Sequence, residues 1–415
     1  MCKWFYKNFI YYGKYWKHGK KEGGEWEIMR FVWWFMEFKR WRIFLLLCIW
    51  RQFDYRFSEA LFICLIKLVM QIEKNVDLKL YNTLQIPVKA KYFVVIRQES
   101  DILELMQTDL WKTEEHCILN GGSNILFTHD FDGIIVKIET KWRKIVKSEN
   151  NSVLIEVAAG ENWSDFVERC CENSYCGIEN LIDIPWNVGT APVSNIWAYG
   201  IEVSGVIYEV DWVDLTTWET WTYKNHSCMF GYRTSVFKYT QRNLFLVTKV
   251  RFLLSILNEN YVPNIWYKDI QNYISEHWAN PKTPKEVAEI IREIRKNKLP
   301  DWHKIWTAWS FFSNPIITLN EWSELEKSFP DLSHHECIEF GEKKIKLSAG
   351  QLIDRCWLKW RRIENWTAWT YEKHALILVN EWWNADDVLK AMHYIQDSVK
   401  NKFWVILEPE VVLVD

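Results

Sequence analysis

From Met70 onward, apolar and polar positions fall into short regular runs. Tyr92–Ile96 (YFVVI) is a β-branched and aromatic run and predicts a strand. Glu99–Met106 spaces its apolar residues at helical intervals, and so does Trp163–Glu172. Cys117–Leu119 predicts a strand running straight into Asn120-Gly121-Gly122-Ser123-Asn124. Ile134–Ile138, Val153–Val157 and Val203–Val213 predict further strands, separated by turn-rich loops. In Pro281–Asn297, Val287, Ile290, Ile291 and Ile294 recur at three-to-four spacing, which predicts a helix. Pro281 and Pro284 mark a hinge or boundary at its start. Ala385–Lys402 predicts a second long helix, followed by a strand at Val405–Leu407. Strands and helices mix without a regular βαβ repeat, so an α+β fold fits better than a doubly wound sheet.

Residues 1–69 break this pattern. They hold 13 Lys/Arg against 6 Asp/Glu, with 7 Trp and clustered aromatics. The apolar runs Ile43–Trp50 and Leu61–Met70 fall short of the roughly 20 residues a bilayer needs, and Arg51, Asp54 and Arg56 interrupt them. A basic interfacial membrane segment is one reading. A leader translated from upstream of the true start is the one preferred, because regular patterning begins only near Met70.

Composition adds further constraints. Hydrophobic residues at 49% and charged residues at 25% describe a globular chain. A net charge of −3 gives no global argument for nucleic acid or an anionic membrane as partner. The ten cysteines include no C-x-x-C pair, and unpaired cysteines in a large chain suit a reducing, cytoplasmic setting. Cys170, Cys171 and Cys176 read as buried thiols in a helix-like stretch. His334-His335 lacks partners at ligand spacing, so no metal site is expected. The last constraint is an imbalance. Trp numbers 28 and Gly only 15, although Gly normally supplies about 7% of residues.

Asn120–Asn124 follows a strand, and its two glycines let the backbone approach a phosphate. Ala159-Gly160-Glu161-Asn162-Trp163 is a second glycine loop, opening a helix. Each signal is weak alone, and no G-x-G-x-x-G is present. Together with five other segments they are specific. These are Leu80–Leu84 (LYNTL), Gly177–Gly200 (GIENLIDIPWNVGTAPVSNIWAYG), Phe230–Lys238 (FGYRTSVFK), Lys298–Pro315 (KLPDWHKIWTAWSFFSNP) and Leu407–Val411 (LEPEV). In this order, over residues 70–415, they closely resemble the UDP-N-acetylenolpyruvoylglucosamine reductase (MurB) family of flavoenzymes. The F-G-Y-R form and a matched tyrosine at Tyr267 resemble its type I branch. The resemblance also implies Met70 as the native start.

The resemblance implies an FAD-binding fold of the MurB and vanillyl-alcohol-oxidase-like (PCMH) type, with a C-terminal α+β substrate-binding domain. It places flavin-binding subdomains at 70–139 and 140–298 and the substrate domain at 299–415. It implies a monomer with FAD and NADPH as cofactors and no membrane association for 70–415. It implies that hydride passes from NADPH through the flavin to the vinyl carbon of UDP-N-acetylglucosamine enolpyruvate. Implied flavin contacts are Asn120, Gly121, Gly122, Ser123, Asn124, Gly160, Gly189, Thr190, Asn195, Ala198, Tyr199 and Gly200. Arg233, Ser310 and Glu410 match the catalytic set. Tyr267, Lys298 and Asn314 match groups that reach the substrate and its phosphates. Tyr371 and His374 depart from the family, which often has His and Gln there, and so concern sugar contacts.

Taken alone, Arg233 is a fixed cation with a planar fork suited to a carboxylate, or simply a surface arginine in a turn. Glu410 lies between apolar runs and suits a carboxyl that shares a proton with an enolate, or one that caps a strand. Ser310 suits a proton donor to a strongly basic carbanion, or a turn serine.

Where the family has glycine, this chain has Trp186, Trp197, Trp218, Trp306, Trp309, Trp357, Trp360, Trp366, Trp369 and Trp404. Glycine serves where φ is positive or the backbone must touch a ligand, and an indole there clashes. A UGA codon read as glycine by the source organism and rendered here as tryptophan accounts for so one-sided a substitution. A diverged, inactive relative is the alternative. Two other readings compete: a related flavin oxidoreductase with another substrate, and a pseudoenzyme whose residues 1–69 bind membrane.

Overall fold

The computed structural model describes residues 70–239, 244–301, 304–339, 341–362, 366–382 and 384–415. Both readings of residues 1–69 lie outside the described residues.

The first sheet takes β1 (Ile72–Asp77), β2 (Lys89–Ile96), β3 (Glu115–Leu119) and β4 (Phe131–Ile138) in the order β1-β2-β4-β3. β1 runs antiparallel to β2, and the β2–β4 and β4–β3 pairs are parallel. The helix α1 (Glu99–Met106) has the predicted bounds and carries a capping box between Gln98 and Asp101. Side chains of a strand alternate between faces. Thus Val94, Ile96, Ile134, Val136 and Ile138 enter one hydrophobic core, while Phe93 and Ile135 enter another. Burial on both faces explains why YFVVI reads as a continuous apolar run.

The first core is shared with an antiparallel sheet of β5 (Arg143–Ser148), β6 (Ser152–Ala158), β7 (Ile207–Asp214), β8 (Thr220–Lys224) and β9 (Phe245–Ile256), ordered β8-β7-β9-β6-β5. On its polar face Arg251 reaches Glu156 at 2.6 Å and Glu209 and Asp211 at 2.9 Å. The helix α2 (Trp163–Glu172) starts where the Asn162 side chain accepts the Asp165 N–H at 3.0 Å. α3 (Lys268–His277) and α4 (Pro284–Lys298) follow.

The second core is shared with the C-terminal third. There β10 (Trp306–Ser310), β14 (Ala368–Tyr371) and β15 (His374–Asn380) form one antiparallel sheet, ordered β10-β15-β14. A second sheet holds β11 (Ile316–Thr318), β12 (His334–Glu339) and β13 (Glu342–Leu347), ordered β11-β13-β12. α5 (Leu319–Ser328) and α6 (Ala385–Phe403) pack into the same core through Trp322 and Leu325, and through Val388, Ile395 and Val399.

Four sequence expectations need correction. Val203–Gly205 is a 3-10 turn, and the strand begins only at Ile207. The α4 helix begins at Pro284 because Thr283 and Glu286 cap each other there, leaving Pro281 outside. Cys176 lies in a two-residue strand, not a helix. Val405–Leu407 forms no strand. The Leu407 carbonyl accepts the Gln396 side-chain amide, and Pro409 has no N–H to offer a ladder. The last strand is Val412–Val414, which pairs in parallel with Ile125–Phe127.

Candidate active site

The Asn120–Asn124 loop joins β3 to Ile125–Phe127. Gly122 has φ +69°, and a Cβ there would meet the Tyr81 carbonyl oxygen at 1.9 Å, so only glycine fits. The Leu80–Leu84 segment holds this loop against the serine strand. The Thr83 N–H donates to the Gly122 carbonyl at 3.0 Å, and the Thr307 N–H donates to the Thr83 carbonyl at 3.1 Å. Beside the loop lies a cavity of ≈ 760 Å³, of the size that takes a large cofactor. Asn120 through Asn124, Gly189 and Thr190 line it, as does Asn314. The Thr190 Oγ1 is buried without a hydrogen-bond partner and lacks what a ligand would supply.

Three expected flavin positions line neither this cavity nor its neighbour. Asn195 is fully buried, and its amide donates to Glu202 Oε2 and the Gly231 carbonyl, both at 2.9 Å. Gly160 packs against the Thr140 backbone, where a Cβ would come within 2.5 Å. Gly200, at φ +86°, lies under the Trp266 ring. Ala198 and Tyr199 line the neighbouring cavity.

That second cavity joins the first at Ser123, Asn124, Trp186, Arg233 and Glu410, which line both. Arg233 sits in a tight turn closed by reciprocal Gly231–Thr234 backbone hydrogen bonds of 3.1 and 3.2 Å, and its own φ is +53°. A left-handed arginine is strained backbone of the kind functional sites retain. Its Nε lies 3.8 Å from Glu410 Oε1, whose side chain is only 7% exposed. Glu410 is clamped from both sides: its N–H donates to the Phe311 carbonyl at 2.8 Å, and its carbonyl accepts the Asn124 amide at 3.0 Å. Ser310 ends β10, opposite Ile377, after a register shift between Thr307 and Ser310. Such bulges re-aim side chains beside active sites. The three residues expected to act together thus line one cleft.

The far wall of the cleft is cationic. Lys298 donates to Asp269 Oδ2 at 2.8 Å. Tyr267 caps α3, packs edge-on to Trp197 and Tyr199, and burial holds its phenol above the usual range. Burial, helped by the Lys298 and Lys359 charges, pushes His374 down to about 4. Its Nδ1 accepts the Leu376 N–H at 3.3 Å, so the ring is neutral and polar at pH 7. Asn314 lies on the other cavity, where its Oδ1 accepts the Ala349 N–H at 2.9 Å. Sequence reasoning did not single out Arg295, which lines the cleft one turn before Lys298. Among the described residues no set of three His, Cys, Asp or Glu could hold a metal ion, and the His334 ring packs 4.1 Å from Trp322.

Comparison with known proteins agrees with this geometry. Residues 301–414 match the family model for the C-terminal domain of UDP-N-acetylenolpyruvoylglucosamine reductase. Residues 90–217 match that of an FAD binding domain. A UDP-N-acetylenolpyruvoylglucosamine reductase of Flavobacterium johnsoniae is 35% identical over 344 residues, covering 82% of this chain and 99% of the relative. One from Chromobacterium violaceum is 36% identical over 345 residues, covering 83% and 99%. This chain belongs to the UDP-N-acetylenolpyruvoylglucosamine reductase family. The crystal structure of the MurB enzyme from Thermus caldophilus shares the fold, with TM-score 0.56 and 21% identity over 84% of this chain and 100% of that one. The fold is therefore α+β, an FAD-binding PCMH-type domain followed by a MurB C-terminal domain.

The tryptophans that the resemblance assigns to glycine positions divide in two. Trp218, Trp309, Trp357, Trp360 and Trp404 have φ between +51° and +68°. Trp186, Trp197, Trp306, Trp366 and Trp369 do not appear among the left-handed residues. Trp278, which the family resemblance did not single out, is left-handed too, with φ +53°.

Proposed function

We propose that this chain uses NADPH, through FAD, to reduce UDP-N-acetylglucosamine enolpyruvate to UDP-N-acetylmuramate in peptidoglycan precursor biosynthesis. The observation that carries the reading is Arg233, Ser310 and Glu410 lining one cleft that opens onto the glycine loop. Asn120–Asn124, Gly189 and Thr190 would hold the flavin. When bound, that group accepts hydride from NADPH and delivers it to the substrate's vinyl carbon.

The chain's own groups do the rest. The Arg233 fork faces the substrate carboxylate, into which charge spreads as the carbon is attacked. Glu410 fixes the guanidinium and moderates the basicity of the carbon beside the carboxylate. The Ser310 hydroxyl holds the proton that this carbon takes up, completing the addition of hydride and proton. Tyr267, Lys298 and Asn314 hold the nucleotide portion. His374, with its Nδ1 accepting the Leu376 N–H, offers its Nε2–H as a donor, as a glutamine amide does.

Three finer readings accompany the proposal. The chain is organised as 70–139, 140–298 and 299–415, and it follows the type I branch. It acts as a monomer, as the family resemblance implies. It works in the cytoplasm, where the free thiols of Cys170, Cys171, Cys176 and Cys228 stay reduced.

The test is NADPH oxidation that depends on UDP-N-acetylglucosamine enolpyruvate. It is run on the full chain as written and with glycine at the ten family positions. Turnover by either version supports the reading. Bound flavin without turnover in both would reduce the assignment to a flavoprotein of another substrate.

A further inference from the structure

We propose that Arg295 is a substrate-recognising residue that takes the enolpyruvyl carboxylate jointly with Arg233. The inference rests on the function proposed above. The other cations of the cleft have local counter-ions: Lys298 has Asp269 at 2.8 Å, and Arg233 has Glu410 at 3.8 Å. Among the described residues no carboxylate lies within ion-pair distance of Arg295. Its Nη2 donates to the Asp183 main-chain carbonyl at 2.9 Å, and the Tyr199 phenol lines the cleft beside it. Both groups are neutral. They orient the guanidinium, while the Asp183 carboxylate pairs with Arg292 at 3.2 Å and acts on Arg295 only from beyond ion-pair distance; the charge is thus only partly compensated, a costly state away from bulk water unless a ligand brings an anion.

The position selects which anion. Arg295 lines the same cleft as Arg233, Ser310 and Glu410. The reacting end of the substrate must lie beside Ser310, so the nearest ligand anion there is the carboxylate. A planar fork meets a carboxylate through two hydrogen bonds, which a lysine cannot reproduce. NADPH and UDP both lack this carboxylate, so they separate carboxylate recognition from phosphate recognition.

The experiment compares Arg295→Lys and Arg295→Gln with the unchanged residue in whichever version turns over substrate. The KM for the enolpyruvyl nucleotide is expected to rise about tenfold or more in both variants. The KM for NADPH and the affinity for UDP, read from calorimetry, stay within about twofold. Parallel losses for NADPH, UDP and substrate would overturn the assignment in favour of phosphate binding or a distorted cleft. Unchanged substrate KM would overturn it outright. Failure of the unchanged protein to turn over substrate would instead count against the proposed function itself.

A separate observation carries a second inference. Among the described residues, fourteen non-glycine positions have positive φ, and six of them are tryptophan. We infer that Trp218, Trp278, Trp309, Trp357, Trp360 and Trp404 occupy glycine sites, and that the native chain carries glycine there. Trp278 and Trp404 are the left-handed caps that end α3 and α6, the place where helices favour glycine. Their indoles are 92% and 70% exposed, so packing does not offset the strain. Trp309 fails in the opposite way. It sits in the β10 bulge at φ +61° with its indole N–H buried and unpartnered. Trp278 makes the argument independent of the family, because its backbone alone marks it.

Two measurements test this. Peptide mass spectra of the protein purified from its source organism should show glycine at 278, 309 and 404; tryptophan there would overturn the inference. In the recombinant chain, Trp278→Gly and Trp404→Gly should each melt higher than the matching alanine variants, because only glycine is at ease in the left-handed region. Alanine variants that match or exceed glycine would show that these positions make no glycine-specific demand.

Discussion

Arg233 Nε and Glu410 Oε1 lie 3.8 Å apart, although the two residues are far apart in the sequence. One rides on a strained turn and the other on a segment clamped by Phe311 and Asn124. The pair therefore has little freedom to rearrange. Replacing Glu410 with Gln keeps the shape and removes the charge. Flavin binding and its reduction by NADPH should be retained, while reoxidation by the enolpyruvyl nucleotide slows by about 10²–10³. Stopped-flow measurement of the two half-reactions checks this. Equal slowing of both would remove Glu410 from the substrate step.

Ser310 makes a sharper separation. Ser310→Ala leaves Arg233 and Glu410 in place and deletes only the proton source. Reduction by NADPH should be unaffected, and substrate turnover should fall by about 10²–10⁴. A variant with normal turnover would return Ser310 to the role of a strand-end serine.

Thr190 tests the cofactor cavity without reference to turnover. Its hydroxyl is buried and unpartnered in the protein alone. Thr190→Val should leave the stability of flavin-free protein nearly unchanged, because no hydrogen bond is lost. It should weaken FAD binding by about tenfold, the value of one lost hydrogen bond. Fluorescence titration of stripped protein with FAD measures the affinity. Unchanged affinity would place the flavin elsewhere in the cavity.

Much of this arrangement was legible in the sequence. The α2 helix has the predicted ends because its apolar spacing starts at a good cap, Asn162. The Asn120–Asn124 loop, Arg233, Ser310 and Glu410 were found through ordered motifs and line the two joined cavities. The rest failed for local reasons. β9, the longest strand, escaped notice because Lys249 and Arg251 break its apolar run, and both charges are taken up by carboxylates on neighbouring strands. Val405–Leu407 has strand-like composition, but its backbone is spent on Gln396 and on a proline-ended clamp. In the sequence nothing sets Arg295 apart from Lys296 and Lys298, the other basic residues of the helix's last turn. Only the packing of Tyr199 and Asp183 around it shows otherwise. Gly160, Asn195 and Gly200 belong to matched motifs, yet their contacts are with the protein's own backbone and side chains.

His374 gives the fold a pH dependence whose sign follows from its environment. Burial and two nearby lysines lower it from 6.5 to about 4, so the folded state favours the neutral ring. Between those values the unfolded chain binds a proton that the folded chain does not. The contribution is therefore fully present above pH 6.5 and is lost as pH falls toward 4. At most about 3 kcal/mol is at stake. His374→Gln removes the titration and keeps a neutral polar group. Its unfolding free energy should fall less steeply than that of the unchanged protein across this window, and the two should converge in slope above pH 7. Denaturant melts at half-unit pH steps measure both slopes. Identical slopes between pH 4 and 6.5 would mean that the ring titrates as an ordinary histidine, with the Lys298 end of the cleft open to water.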